Sequence, residues 1–138
     1  MRFYPDRLKN PRRDKAIIAA AGPFSNLILG VIFLFIIKVH WSLDIFDENL
    51  YIVDFVIDVL YYWAYTNIGL FVFNMFPIPP LDGSHIFLSG LNLTYETETK
   101  IMQIGSGIFI LLIILQYTAG INILPIGIIV DKIISFIL

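Results

Sequence analysis

The chain has 138 residues, of which 58% are hydrophobic and 14% charged, with a mean hydropathy of +0.82 and a formal net charge of −2. A typical soluble domain carries about 25% charged residues, so an ordinary water-soluble domain is excluded. Cysteine is absent, which rules out disulfides and thiolate metal sites within these residues.

Three uncharged apolar runs set the class: residues 16–37, 59–81 and 101–130, of 22, 23 and 30 residues. A membrane-spanning helix needs about 20 such residues. The expectation is an all-α, polytopic membrane bundle of three to four transmembrane helices, at about 16–38, 50–76, 101–118 and 121–138. Membrane lipids are its first partners.

Six of the nine Lys and Arg fall in the first fifteen residues: Arg2, Arg7, Lys9, Arg12, Arg13 and Lys15. None lies between Val39 and Thr99. Basic residues bias a membrane segment toward the cytoplasm, so residues 1–15 read as a basic cytoplasmic arm. Next to an apolar run this anchors the membrane domain (16–138) rather than binding nucleic acid. The run is too long for the core of a cleaved signal, which spans about 7–15 residues.

In the first helix, AGPFSN (residues 21–26) brings a proline and an amide to membrane depth. Gly22, Asn26 and Gly30 are spaced by four and share a face. Small residues there let a second helix approach closely. A buried Asn26 needs a partner and marks either packing or a functional face. His40 beside Trp41 reads as an interfacial pair. A metal pair of His40 with Asp44 is the weaker reading, and Asp44, Asp47 and Glu48 read as solvated.

The second helix starts with Asp54 and Asp58, four apart. They fit the wet side of an interfacial helix start better than a metal pair or a proton relay. At its far end comes NMFPIPPLDG, residues 74–83. Pro77, Pro79 and Pro80 remove donors and stop a regular helix. Irregular backbone at membrane depth is tolerated only where protein buries it or water reaches it. Asp82 is therefore expected on a rigid extended segment facing a cavity, with Gly83 giving a tight turn. Residues 88–100 read as a polar connector. Gly105, Gly107, Gly120, Pro125 and Gly127 read as interruptions of the last run.

AGPFSN followed by NMFPIPPLDG resembles the site-2 protease family of intramembrane zinc metalloproteases. The lead-in PRRDKAIIAAAGPFSN, residues 11–26, resembles the short bacterial members, and the likeness covers roughly residues 9–86. The pattern N-x-x-P-x-P-x-L-D-G is complete from Asn74 to Gly83. The resemblance implies that Asp82 is the third ligand of a catalytic zinc. Asn26, Asn74, Pro77, Pro79 and Gly83 carry over as motif positions that hold substrate backbone or orient the loop. The family's other ligands are the histidines of an H-E-x-x-H helix, whose Glu activates the zinc-bound water. This sequence has no H-E-x-x-H, and its two histidines are His40 and His85. His85 reads as an interfacial or supporting residue rather than a ligand.

The resemblance therefore implies the C-terminal part of a site-2-type protease of the bacterial cytoplasmic membrane, inactive by itself. Met1 falls about where the middle of such a protease would lie. The partner implied is an upstream segment or subunit carrying H-E-x-x-H, and the substrate is a transmembrane peptide. Two other classes remain: a non-catalytic relative that binds membrane helices, and a small transporter or channel subunit with Asp82 as its coupling carboxylate.

Overall fold

Pro11 opens the first helix, at the position where its missing N–H costs nothing. The Asp14 carboxylate accepts from the Asn10 N–H just outside, at 3.2 Å. The computed structural model describes residues 10–43, 51–91, 93–120 and 123–138. They form five helices: α1 (Pro11–Leu43), α2 (Tyr51–Met75), α3 (Asp82–Ser89), α4 (Tyr95–Ala119) and α5 (Ile126–Ile137). No strand occurs among the described residues.

The fold is an all-α membrane bundle. Segments Arg12–Leu43, Tyr51–Met75 and Tyr95–Ala119 are long and apolar enough to cross a bilayer. α1 starts five residues before its apolar run, so the last five residues of the expected basic arm, 11–15, are helical. It runs through Pro23, which is fully buried. α4 begins in the polar stretch 88–100, where Thr94 caps it by accepting from the Thr97 N–H at 3.3 Å. α4 continues unbroken through Gly105 and Gly107 and stops at Gly120, whose φ of 64° ends the helix. α5 has 12 residues, a length of about 18 Å at 1.5 Å per residue. That is shorter than the hydrocarbon core of about 30 Å.

Two compact units divide the chain. One comprises Phe24–Val72 with Ile126–Leu138. Its centre is the α1–α2 packing around Gly30. A Cβ at Gly30 would stand 2.6 Å from Ile68 Cγ1 and 3.2 Å from the Ala64 carbonyl oxygen. Leu34, Ile37, Ala64 and Ile68 are completely buried there. Phe24 meets Phe71, and Phe33 meets Trp63, edge to face. α5 buries Val130 and Ile134 in the same unit, with Val130 beside Gly69.

The other unit comprises Met1–Pro23 with Phe73–Pro125. Here α4 buries none of its residues fully. Its contacts run along a single line. Glu98 pairs with Lys15, Met102 lies at Ser84, Gly105 at Pro79 and Phe109 at Phe73. Positions 98, 102, 105 and 109 recur at helical spacing and form one face. The remaining apolar side chains, from Ile104 to Leu115, are largely exposed, as lipid contact allows.

Candidate metal-ligand site on the LDG turn

The proline segment folds into a turn before α3. The Leu81 N–H donates to the Ile78 carbonyl at 3.0 Å. The Ser84 N–H donates to Leu81 O at 3.0 Å, and Ser84 Oγ donates to the same oxygen at 2.6 Å. Ser84 is 1% exposed, so this hydroxyl is committed to holding the turn. Asp82 thus becomes the first residue of α3 rather than part of a rigid extended segment. The reason is local: Leu81 still has β backbone, with φ −71° and ψ 153°, and the helix begins one residue later. A carboxylate in a first helical turn meets the positive end of the helix dipole.

Gly83 is buried and fits where no side chain could. A Cβ there would lie 2.4 Å from the Met75 carbonyl oxygen and 2.6 Å from that of Phe76. The start of α3 therefore rests on the backbone that ends α2. Pro79 is buried and Pro77 exposed. Asn74 is half-buried on the last turn of α2.

The two motif stretches meet at one point. A Cβ at Gly22 would stand 3.7 Å from Asp82 Oδ2, so the bare backbone of α1 borders the carboxylate. Asp82 itself is half-buried. Asn26 is half-buried one turn further along α1 and belongs to the other unit.

Charged groups surround the turn. Lys15 and Glu98 form a partly buried ion pair, and Arg12 donates to the Leu93 carbonyl at 3.3 Å. Burial first, and then the Lys15 ammonium, lowers the pKa of the His85 imidazole, against opposing pulls from Glu98 and Asp82. Burial and Lys15 thus disfavour the cationic form of the ring.

The remaining sequence candidates fall elsewhere. Asp54 and Asp58 are both exposed. His40 is buried at 7% exposure, while Trp41 is 57% exposed. Asp44, Asp47 and Glu48 lie outside the described residues, as do residues 1–9. Gly105, Ser84 and the Lys15–Glu98 pair support the turn and were missed by motif reading. For Glu98 and Gly105 the signal is the helical spacing 98, 102, 105, 109 on α4.

A catalytic zinc needs about three protein ligands. Among the described residues, no group of three His, Cys, Asp or Glu could hold a metal ion. These residues by themselves do not fit a complete zinc site; the turn offers one accessible carboxylate.

The sequence profile of Peptidase family M50 matches residues 42–116, more than half of the chain. The chain belongs to Peptidase family M50. The match takes in all of α2, the proline turn with Asp82, α3 and most of α4. M50 is the site-2 protease family that the paired motifs resemble. A protein of Bacillus subtilis (strain 168) named "Putative zinc metalloprotease YwhC" is 35% identical over 80 residues. The aligned region is 56% of this chain and 35% of that relative, so the chain spans about a third of the relative's length. No solved structure matches.

Proposed function

We propose that this M50 chain supplies the aspartate-bearing part of an intramembrane zinc metalloprotease. Asp82 is its zinc ligand, and an upstream segment or a separate subunit contributes H-E-x-x-H. The observation that carries this reading is the meeting of Gly22 with the Asp82 carboxylate. It joins two motifs 60 residues apart at a half-buried carboxylate. When bound, zinc would supply an activated water and polarise the scissile carbonyl.

The chain's own residues hold and orient. Ser84 and Gly83 fix the turn on which Asp82 stands. Asn74 and Asn26 are the amides positioned for substrate backbone or for the turn itself. The proline segment offers carbonyls with few competing N–H groups, which suits an extended peptide. The substrate class is a transmembrane peptide. The N-terminus is cytoplasmic, and the membrane is the bacterial cytoplasmic membrane.

The test is zinc content and cleavage of a transmembrane peptide by the 138-residue chain, alone and co-expressed with an H-E-x-x-H segment. The expected result is little zinc and no cleavage alone, both gained on co-expression, and both lost with Asp82→Ala. About one zinc per chain from these residues alone would overturn the reading. A non-catalytic relative is the second reading. It is upheld if co-expression restores neither zinc nor cleavage.

A further inference from the structure

α4 carries none of the motif residues, yet it touches the motif turn at its stiffest point. A Cβ at Gly105 would lie 2.7, 2.9 and 3.0 Å from Cγ, Cδ and Cβ of Pro79. No real side chain fits at such distances. Gly107, two residues on in the same helix, has nothing within 4 Å. The two glycines therefore have different roles, although sequence alone makes them look alike.

We propose that Gly105 is a positioning residue: its missing side chain seats the Pro79 ring, and this seat sets where the Asp82 carboxylate stands against Gly22. The inference rests on the reading of Asp82 as a zinc ligand and deepens it. Three features transmit the position. The proline rings fix φ from 77 to 80 except at Ile78, so the segment moves as a unit. The Leu81–Ile78 and Ser84–Leu81 hydrogen bonds tie that segment to the first turn of α3. Met102, one turn before Gly105, lies 3.7 Å from Ser84 Oγ, so α4 supports the turn from a second point on the same face. A displaced Pro79 has no slack to absorb the shift before Asp82, three residues away.

The chain has no cysteine, so a Gly22→Cys/Asp82→Cys pair introduces its only thiols. A Cβ at Gly22 would stand 3.7 Å from Asp82 Oδ2, at the tip of that side chain, so the two introduced side chains are close neighbours, and a disulfide forms when their Cβ atoms come about 3.5–4.5 Å apart. The measurement is the rate of disulfide formation in the full chain in detergent under a mild oxidant. It is made with native Gly105, with Gly105→Ala and with Gly107→Ala. Both alanines raise helix propensity equally, and only one meets Pro79. Gly105→Ala is expected to slow the cross-link about tenfold by overpacking, and Gly107→Ala to leave it unchanged.

Adding Pro79→Ala to Gly105→Ala removes Cγ and Cδ, the two nearest of the three close ring atoms, and is expected to restore most of the rate, judged against Pro79→Ala alone. General unfolding would not produce that rescue. Equal rates for the two alanine variants, no rescue, or no cross-link in the parent pair would each overturn the inference. The cross-link is read without metal. The ligand role of Asp82 is read from zinc in the co-expressed protein, so either reading can fail while the other stands.

Discussion

Gly83 lies so close to the end of α2 that a Cβ on it would come within 2.4 Å of the Met75 carbonyl oxygen. The neighbours are backbone atoms, fixed by the last turn of a 25-residue helix. Neither side can yield by rotating a side chain. This contact, more than any hydrogen bond of its own, decides the direction in which α3 leaves the proline turn.

Gly83→Ala is accordingly expected to be among the most damaging small substitutions in the chain. Overpacking costs about 1–3 kcal/mol, and a clash against backbone belongs at the upper end. The thermal unfolding midpoint in detergent should fall by several degrees, whereas Gly107→Ala, which gains helix propensity in open space, should not lower it. Equal midpoints for the two would refute the close packing.

Asp82→Asn should fold. The side chains are nearly isosteric, and Asp82 is half-buried at the head of α3. Removing a charge from a partly desolvated place also relieves a cost. Insertion and the midpoint should stay close to those of the parent, while zinc retention in the co-expressed protease drops at least about tenfold. Rapid degradation of the variant would mark the carboxylate as structural.

His85 gives a pH dependence. Its folded-state pKa lies below the ordinary value, because burial and then Lys15 disfavour the charged ring. The native state therefore binds this proton less readily than the unfolded chain does. Stability from this group is complete above about pH 6.5, the ordinary imidazole value. It declines as the pH falls from there toward the lowered folded value, and then levels off. His85→Gln should flatten that part of the profile of midpoint against pH. A variant with the same acid slope as the parent would assign the slope to other groups.

Lys15 and Glu98 place the start of α1 and the start of α4 at one level, and Arg12 at Leu93 repeats the link. Single cysteines at the exposed Asn10 and Thr97 should therefore react from the same face of the membrane. With the basic residues directing that face inward, an impermeant thiol reagent should label neither in right-side-out vesicles and both after permeabilisation. Labelling of only one from outside would contradict the pairing.

The class of the protein was legible in the sequence because it depends on sums. Long uncharged runs are long and apolar enough to span a bilayer whatever they pack against, and no knowledge of any contact is needed to see them. The site was legible in part because its motif is local: three prolines, a carboxylate and a glycine in one short stretch constrain the backbone wherever they stand. The same locality misled on one point. Prolines imply extended backbone at Asp82, but their influence ends at Leu81, and α3 begins at the next residue. The glycines mark the limit of sequence reading. Gly30 admits Ile68, Gly83 admits the Met75 carbonyl, Gly105 admits Pro79 and Gly107 admits nothing. A residue without a side chain has no chemistry to announce its partner. Only the tertiary structure decides which other residue occupies the space it leaves, and here that decision sets the position of Asp82.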